Sequence, residues 1–165
     1  HVIERPAELS GDLVGDHPVL VHALTEMERR SGEEYHVVVM LQPTCPLRTQ
    51  EHVRSVLVML VCEHKDSVWT VTHTPAKYHP LKQLRWCDTM RHYIPRGRTI
   101  VARQQLDQAY YRNGAAYAFT RECLLYQHST LGTYAGYVLI QDPPLVNIDT
   151  PEDLAEAERL MVGRA

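Results

Sequence analysis

Apolar residues recur at Val19, Leu20, Ala23, Leu24 and Met27. That three-four spacing marks one face of a helix and predicts helix over 18–30, ended by Ser31-Gly32. The next segment, His36-Val37-Val38-Val39-Met40-Leu41, is a short continuous apolar run rich in β-branched residues. A strand covered on both faces reads this way. Thr49 can cap a second helix whose Val53, Val56, Leu57, Leu60 and Val61 face inward. Residues 67–72 (Ser-Val-Trp-Thr-Val-Thr) predict a second strand.

From 75 to 103 no helical period is sustained. Prolines, histidines and basic residues alternate with single aromatics, which predicts an insert of loops and short antiparallel strands. Regular order resumes with a small-residue strand over 114–119, a short helix over 121–127 and a strand over 137–140. Thr150-Pro151-Glu152-Asp153 then opens the last helix: a capping residue, proline at the first helical position and acidic residues in the first turn. Leu154, Ala157, Leu160 and Met161 supply its buried face. Helices and buried strands therefore alternate around one irregular insert, as in an α/β sandwich with a mainly parallel sheet. In such sheets ligands sit beyond the carboxyl ends of the strands, so the segments that leave each strand are where chemistry is to be sought.

Composition narrows the choice. The 165 residues suit one compact domain. A net charge of −3 gives no broad cationic field, which argues against a nucleic-acid partner. No apolar run approaches the roughly 18 residues of a membrane span, and no signal peptide is visible, so a cytoplasmic protein is expected. Cys45, Cys62, Cys87 and Cys123 form no C-x-x-C pair and are read as free thiols. His73, His79 and His92 do not follow a zinc-type spacing.

The motif Leu41-Gln42-Pro43-Thr44-Cys45-Pro46-Leu47-Arg48 leaves the most hydrophobic strand. Two prolines stiffen it, which lowers the entropy cost of presenting Gln42, Thr44 and Arg48. An amide suits sugar hydroxyls and a guanidinium suits carboxylate or phosphate; a stiff turn with a structural Arg48 is the equal alternative. Asn113-Gly114 reads most plainly as a tight turn before a strand. Asn147 and Asp149, at i and i+2 on a strand end, point to one side and can converge on one point.

These segments together resemble the acylneuraminate cytidylyltransferases, the CMP-sialic acid synthetases. L-Q-P-T-C-P-L-R is similar to the family's L-Q-P-T-S-P-L-R, with Cys45 in place of serine. Arg5-Pro6-Ala7-Glu8-Leu9 resembles its R-P-x-E-L. Tyr78-His79-Pro80-Leu81-Lys82 resembles its H-P-x-K. Arg103-Gln104-Gln105-Leu106, with Tyr110, Asn113-Gly114 and Tyr117, resembles its R-Q-x-L…Y…N-G-x-x-Y. Val146-Asn147-Ile148-Asp149-Thr150, with Glu152-Asp153-Leu154, resembles D-I-D-T-x-E-D-L. The family's glycine- and lysine-rich phosphate loop has no counterpart, so the chain reads as the larger, C-terminal part of such an enzyme.

The resemblance implies a three-layer Rossmann-like nucleotidyltransferase fold over 1–165, with 75–103 as a dimerisation insert that reaches the neighbouring subunit's site. It implies a homodimer that transfers CMP from CTP to the anomeric hydroxyl of a sialic-acid-like α-keto sugar acid and releases pyrophosphate. Arg103 and Lys82 would face the acidic sugar, and Gln42, Gln104, Asn113 and Tyr117 would line its pocket. Asp149 and Asn147 would hold Mg²⁺; the family has aspartate at both positions, and an amide oxygen can ligate Mg²⁺ but adds no charge. No residue is an evident general base. Two alternatives stand beside this reading: a non-catalytic dimerising or ligand-binding relative, and a CTP-dependent transferase acting on another anionic acceptor such as a phosphonate.

Overall fold

The computed structural model describes residues 1–141 and 145–162. The first helix, α1 (Asp16–Ser31), ends where Gly32 takes a left-handed backbone at φ 72° and returns its N–H to Glu28. Strand β1 (Val37–Met40) follows, then helix α2 (Gln50–Cys62). Thr49 caps α2 through a reciprocal pair. The His52 N–H donates to Thr49 Oγ1 at 3.4 Å, and the Thr49 N–H donates to His52 Nδ1 at 3.2 Å. Strand β2 (Ser67–His73), the hairpin strands β3 (Leu84–Cys87) and β4 (Thr89–His92), and the long strand β5 (Tyr110–Thr120) come next. Helix α3 (Arg121–Leu125), strand β6 (Ala135–Leu139) and helix α4 (Pro151–Val162) complete the described chain.

The main sheet has the order β1-β5-β2-β6. β5 runs against β1, with Val38 opposite Phe119 and Met40 opposite Tyr117. It runs against β2 as well: the Thr120 N–H donates to Asp66 O at 2.9 Å, while the Ala116 N–H donates to Thr70 Oγ1 at 3.0 Å. β1 and β2 therefore run the same way on either side of one reversed strand. β5 follows β2 without a crossover helix, and only such a helix would have returned it parallel.

Side-chain alternation along the strands builds two cores. On one face Val38, Met40, Trp69, Tyr117 and Phe119 meet Leu20 and Leu24 of α1 and Leu124 of α3. On the other, Val37, Val39, Val68, Ala116 and Ala118 meet Val56 and Leu60 of α2. The result is an α/β sheet with helices on both faces, of Rossmann-like form. Each fully buried Leu or Phe in it contributes about 1.5–3 kcal/mol.

Three positions expected in the core lie outside it. Val61 is exposed, because it follows Leu60 by 100° and turns out of the buried stripe of α2. On α4, Ala157 is buried but Leu154 and Met161 on the same face are about half exposed. Packing reaches only the middle of that helix.

The chain divides into two compact units, 1–70 with 113–165, and 71–112. The segment 75–103 lies in the second. That unit contains the two-stranded β3–β4 hairpin, in which Leu84 faces His92 and Trp86 faces Met90, and several 3₁₀ turns.

Candidate active site

The loop leaving β1 is fixed by its own backbone and by Arg48. The Cys45 N–H donates to Gln42 O at 3.2 Å. Arg48 Nη1 donates to Gln42 O at 3.0 Å and to Ala115 O at 3.1 Å, tying the loop to β5. Its guanidinium therefore has a structural task. Cys45 is fully buried, and burial pushes its thiol up, against the opposing pull of Arg48. It packs and is not poised as a nucleophile.

Asn113 and Gly114 do not form a turn. They lie inside β5, where Gly114 takes φ +77°, a left-handed kink that only glycine adopts without strain. A Cβ there would fall 2.7 Å from Gln42 Oε1, 3.0 Å from Asn147 Oδ1 and 3.5 Å from Cys45 Cβ. The missing side chain is what lets two carboxamides from separate loops approach the same strand. Behind the kink, the Gly114 N–H donates to the buried Tyr117 hydroxyl at 2.7 Å. Asn113 is also buried; its Oδ1 accepts from Thr70 Oγ1 at 2.7 Å and from the Ala115 N–H at 3.2 Å.

The segment before α4 is irregular rather than a strand end, yet it still brings Asn147 and Asp149 side by side. The Ile148 N–H donates to Thr44 O at 2.8 Å and moors it to the loop after β1. Thr44 Oγ1 donates to Asn147 Oδ1 at 2.7 Å, and Asn147 Nδ2 donates to Asp149 Oδ2 at 2.9 Å. The carboxylate fixes the amide orientation, since only the N–H side can face it. One residue on, Asp153 Oδ2 accepts from the Thr150 N–H at 2.9 Å and the Asp153 N–H donates to Thr150 Oγ1 at 3.2 Å, capping α4. The Thr150 hydroxyl and the backbone N–H groups of Asp149 and Thr150 hold the Asp153 carboxyl below its ordinary range.

As a metal site this donor set is small. Asp149 is exposed and one of its oxygens is engaged by Asn147, while Asn147 Oδ1 is engaged by Thr44. Among the described residues no cluster of three or more His, Cys, Asp or Glu is arranged for a cation. The second Asp149 oxygen fits a hard divalent ion whose other ligands are water and substrate phosphates, the usual manner of Mg²⁺.

The remaining sequence candidates, Lys82, Arg103 and Gln104, belong to the 71–112 unit and are exposed. Arg103 lines a small cavity of about 150 Å³ with His73, His79, Asp107 and Gln108. His79 is committed to the backbone there, 3.1 Å from Asp107 O through Nε2 and accepting from the Leu81 N–H through Nδ1. A larger cavity of about 930 Å³ lies between α2 and β6, lined by Arg54, Met59, Lys65 and Tyr137 among others, and contains none of the sequence candidates.

Nothing in the linear pattern pointed to the Gly114 cradle or to the link from Thr44 to Asn147. An Asn-Gly pair inside a strand-forming run was the one visible signal, and it carries the ordinary meaning of a turn.

No protein-family model matches the chain. The chain is similar to Post-translational flagellin modification protein B of Campylobacter coli, at 22% identity over 158 residues. The match covers 96% of this chain and 66% of that protein, so the chain spans slightly less than two thirds of its relative's length.

Proposed function

We propose that this chain is the larger part of a cytidylyltransferase that couples CTP to a sialic-acid-like α-keto sugar acid. The observation that supports this most is the meeting of Gln42, Gly114 and Asn147, with Thr44 and Asp149 hydrogen-bonded alongside. Carboxamides, a hydroxyl and one carboxylate at a strand-end loop form a polar surface suited to sugar hydroxyls and to a metal–phosphate group. The five ordered motifs of the sequence give the same reading. The similarity to a protein named for post-translational flagellin modification is compatible with that reading.

In this mechanism the anomeric hydroxyl attacks the α-phosphorus of CTP, the new P–O bond forms and pyrophosphate leaves. Such a reaction asks for orientation and charge neutralisation, not a protein nucleophile. Asp149 would hold Mg²⁺, which would supply charge neutralisation at the triphosphate. Gln42 orients hydroxyls from the loop. Asn147 holds the Asp149 carboxylate in place, and Asn113 and Tyr117 act from behind by fixing the kink at Gly114. Arg103, Lys82 and Gln104, all in the 71–112 unit, are the groups that the sequence resemblance assigns to the acidic sugar.

That unit also carries the proposed homodimer contact. Leu84, Trp86 and Met90 share one face of the hairpin at 53%, 74% and 57% exposure, and contiguous apolar exposure of this kind marks an association surface.

A second reading is a ligand-binding relative without catalysis. One observation favours it: the Asn147 amide satisfies part of Asp149 without a cation. Pyrophosphate release from CTP by the full-length gene product in Mg²⁺, assayed with a panel of α-keto sugar acids and phosphonates, separates the readings. Release with sugar acids alone supports the proposal, and release with phosphonates alone reassigns the acceptor. Silence with every acceptor leaves the non-catalytic reading.

A further inference from the structure

The β3–β4 hairpin sets two arginines against each other. In its antiparallel register Arg85 stands directly opposite Arg91, and like charges so placed destabilise a strand pair. Arg98, from the 3₁₀ turn Pro95–Thr99, lines the same cavity of about 490 Å³, with Leu84, Met90 and His92. Among the described residues none of these three guanidiniums has an ion pair or a side-chain hydrogen bond. Few carboxylates are available to them. Residues 71–112 hold eight Lys or Arg and two Asp, a net of +6 in a chain whose total is −3. One of the two, Asp107, already lies 3.9 Å from Arg96. His92, which also lines the cavity, has its Nδ1 enclosed without a hydrogen-bond partner.

A solvated basic surface does not require this arrangement. Lys and Arg that serve solubility are interspersed with acids, whereas here three arginines without an ion pair line one concavity and two of them are register partners. We propose that this cavity binds a multiply charged phosphate ligand, of the diphosphate or phosphate-ester class. Guanidinium forks bind phosphate oxygens in pairs. The volume lies in the range of small-molecule sites and exceeds what one carboxylate fills. A bound polyanion would also turn the Arg85–Arg91 repulsion into a shared attraction. This site uses none of the residues placed at the nucleotidyltransferase site, although Leu84 and Met90, which border it, also stand in the proposed dimer face.

Calorimetric titration of the intact protein with pyrophosphate, in magnesium-free buffer at low salt, tests it. The expected result is saturable binding that Arg91→Ser and Arg98→Ser each weaken by about tenfold or more. Arg54→Ser, on α2, should change nothing, and Asp149→Ala should keep the binding, which separates this site from the proposed catalytic one. All three arginines are exposed, so the serine variants should fold; Arg91→Lys, which keeps the charge and loses the fork, gives the same test by a milder change. Citrate should bind more weakly than pyrophosphate. The proposal is overturned if pyrophosphate does not saturate the protein, if the arginine variants bind it as the parent does, or if citrate binds equally well.

Discussion

The side-chain amide of Asn147 donates to Asp149 Oδ2 at 2.9 Å, so the carboxylate meets an N–H where a second carboxylate could have stood. With its oxygen held by Thr44, the amide bridges two loops and leaves the pair at a single negative charge. Asn147→Asp would put two carboxylates at hydrogen-bond distance, an arrangement that needs a proton or a cation. The variant should be destabilised in EDTA by about 1 kcal/mol, roughly 2–4 °C in Tm, and Mg²⁺ should restore it. A melting curve for Asn147→Asp that ignores Mg²⁺ would remove this pair from the metal question.

Gly114→Ala tests the cradle. The added Cβ meets Gln42 Oε1 at 2.7 Å and is strained by φ +77°, so the expected cost is about 1–3 kcal/mol. Gln42→Ala in the same chain should recover the clash portion but not the backbone portion. If the two changes are simply additive in denaturant melts, Gln42 does not lie over the glycine.

Acid should unfold the protein partly through Glu28. The hydrogen bond from Arg121, at 2.8 Å, holds this carboxyl below its ordinary value of 4.5 against the cost of burial. A depressed folded-state value stabilises above the ordinary value and loses that contribution as pH falls through the depressed one. Glu28→Gln should therefore melt below the parent at pH 7, with the gap narrowing as pH drops below 4.5. A gap that stays constant across that range would mean the pair carries no pH-linked stability.

If the apolar hairpin face joins two copies, Trp86→Glu with Met90→Glu should shift the sedimentation coefficient from dimer to monomer at matched concentration. The core lies on other residues, so far-ultraviolet circular dichroism should be unchanged. A parent protein that sediments as a monomer throughout would end the dimer proposal.

Much of the fold was legible because it depends on local periodicity. The Val37–Met40 run, apolar at every position, has one face toward α1 and the other toward α2. Thr49 and Thr150 cap the helices they precede, because a hydroxyl at that point reaches orphan N–H groups wherever the helix later packs. Arg48 was ambiguous for the opposite reason: a guanidinium on a stiff loop suits an anion or two carbonyls equally, and Ala115, the deciding partner, lies 67 residues away.

By itself, then, the chain's periodicity determined the helices, the buried strands, the irregular segment between them and the loops where chemistry could stand. Only tertiary structure decided that Asn113-Gly114 is a kink within a strand, that Asn147 faces Asp149 with its N–H and Thr44 with its oxygen, and that Arg85 is set against Arg91. Periodicity and capping act between neighbours in sequence, so a linear reading finds them. Backbone kinks, amide orientation and strand register are set by partners brought together from distant positions, and those partners have no fixed spacing to read.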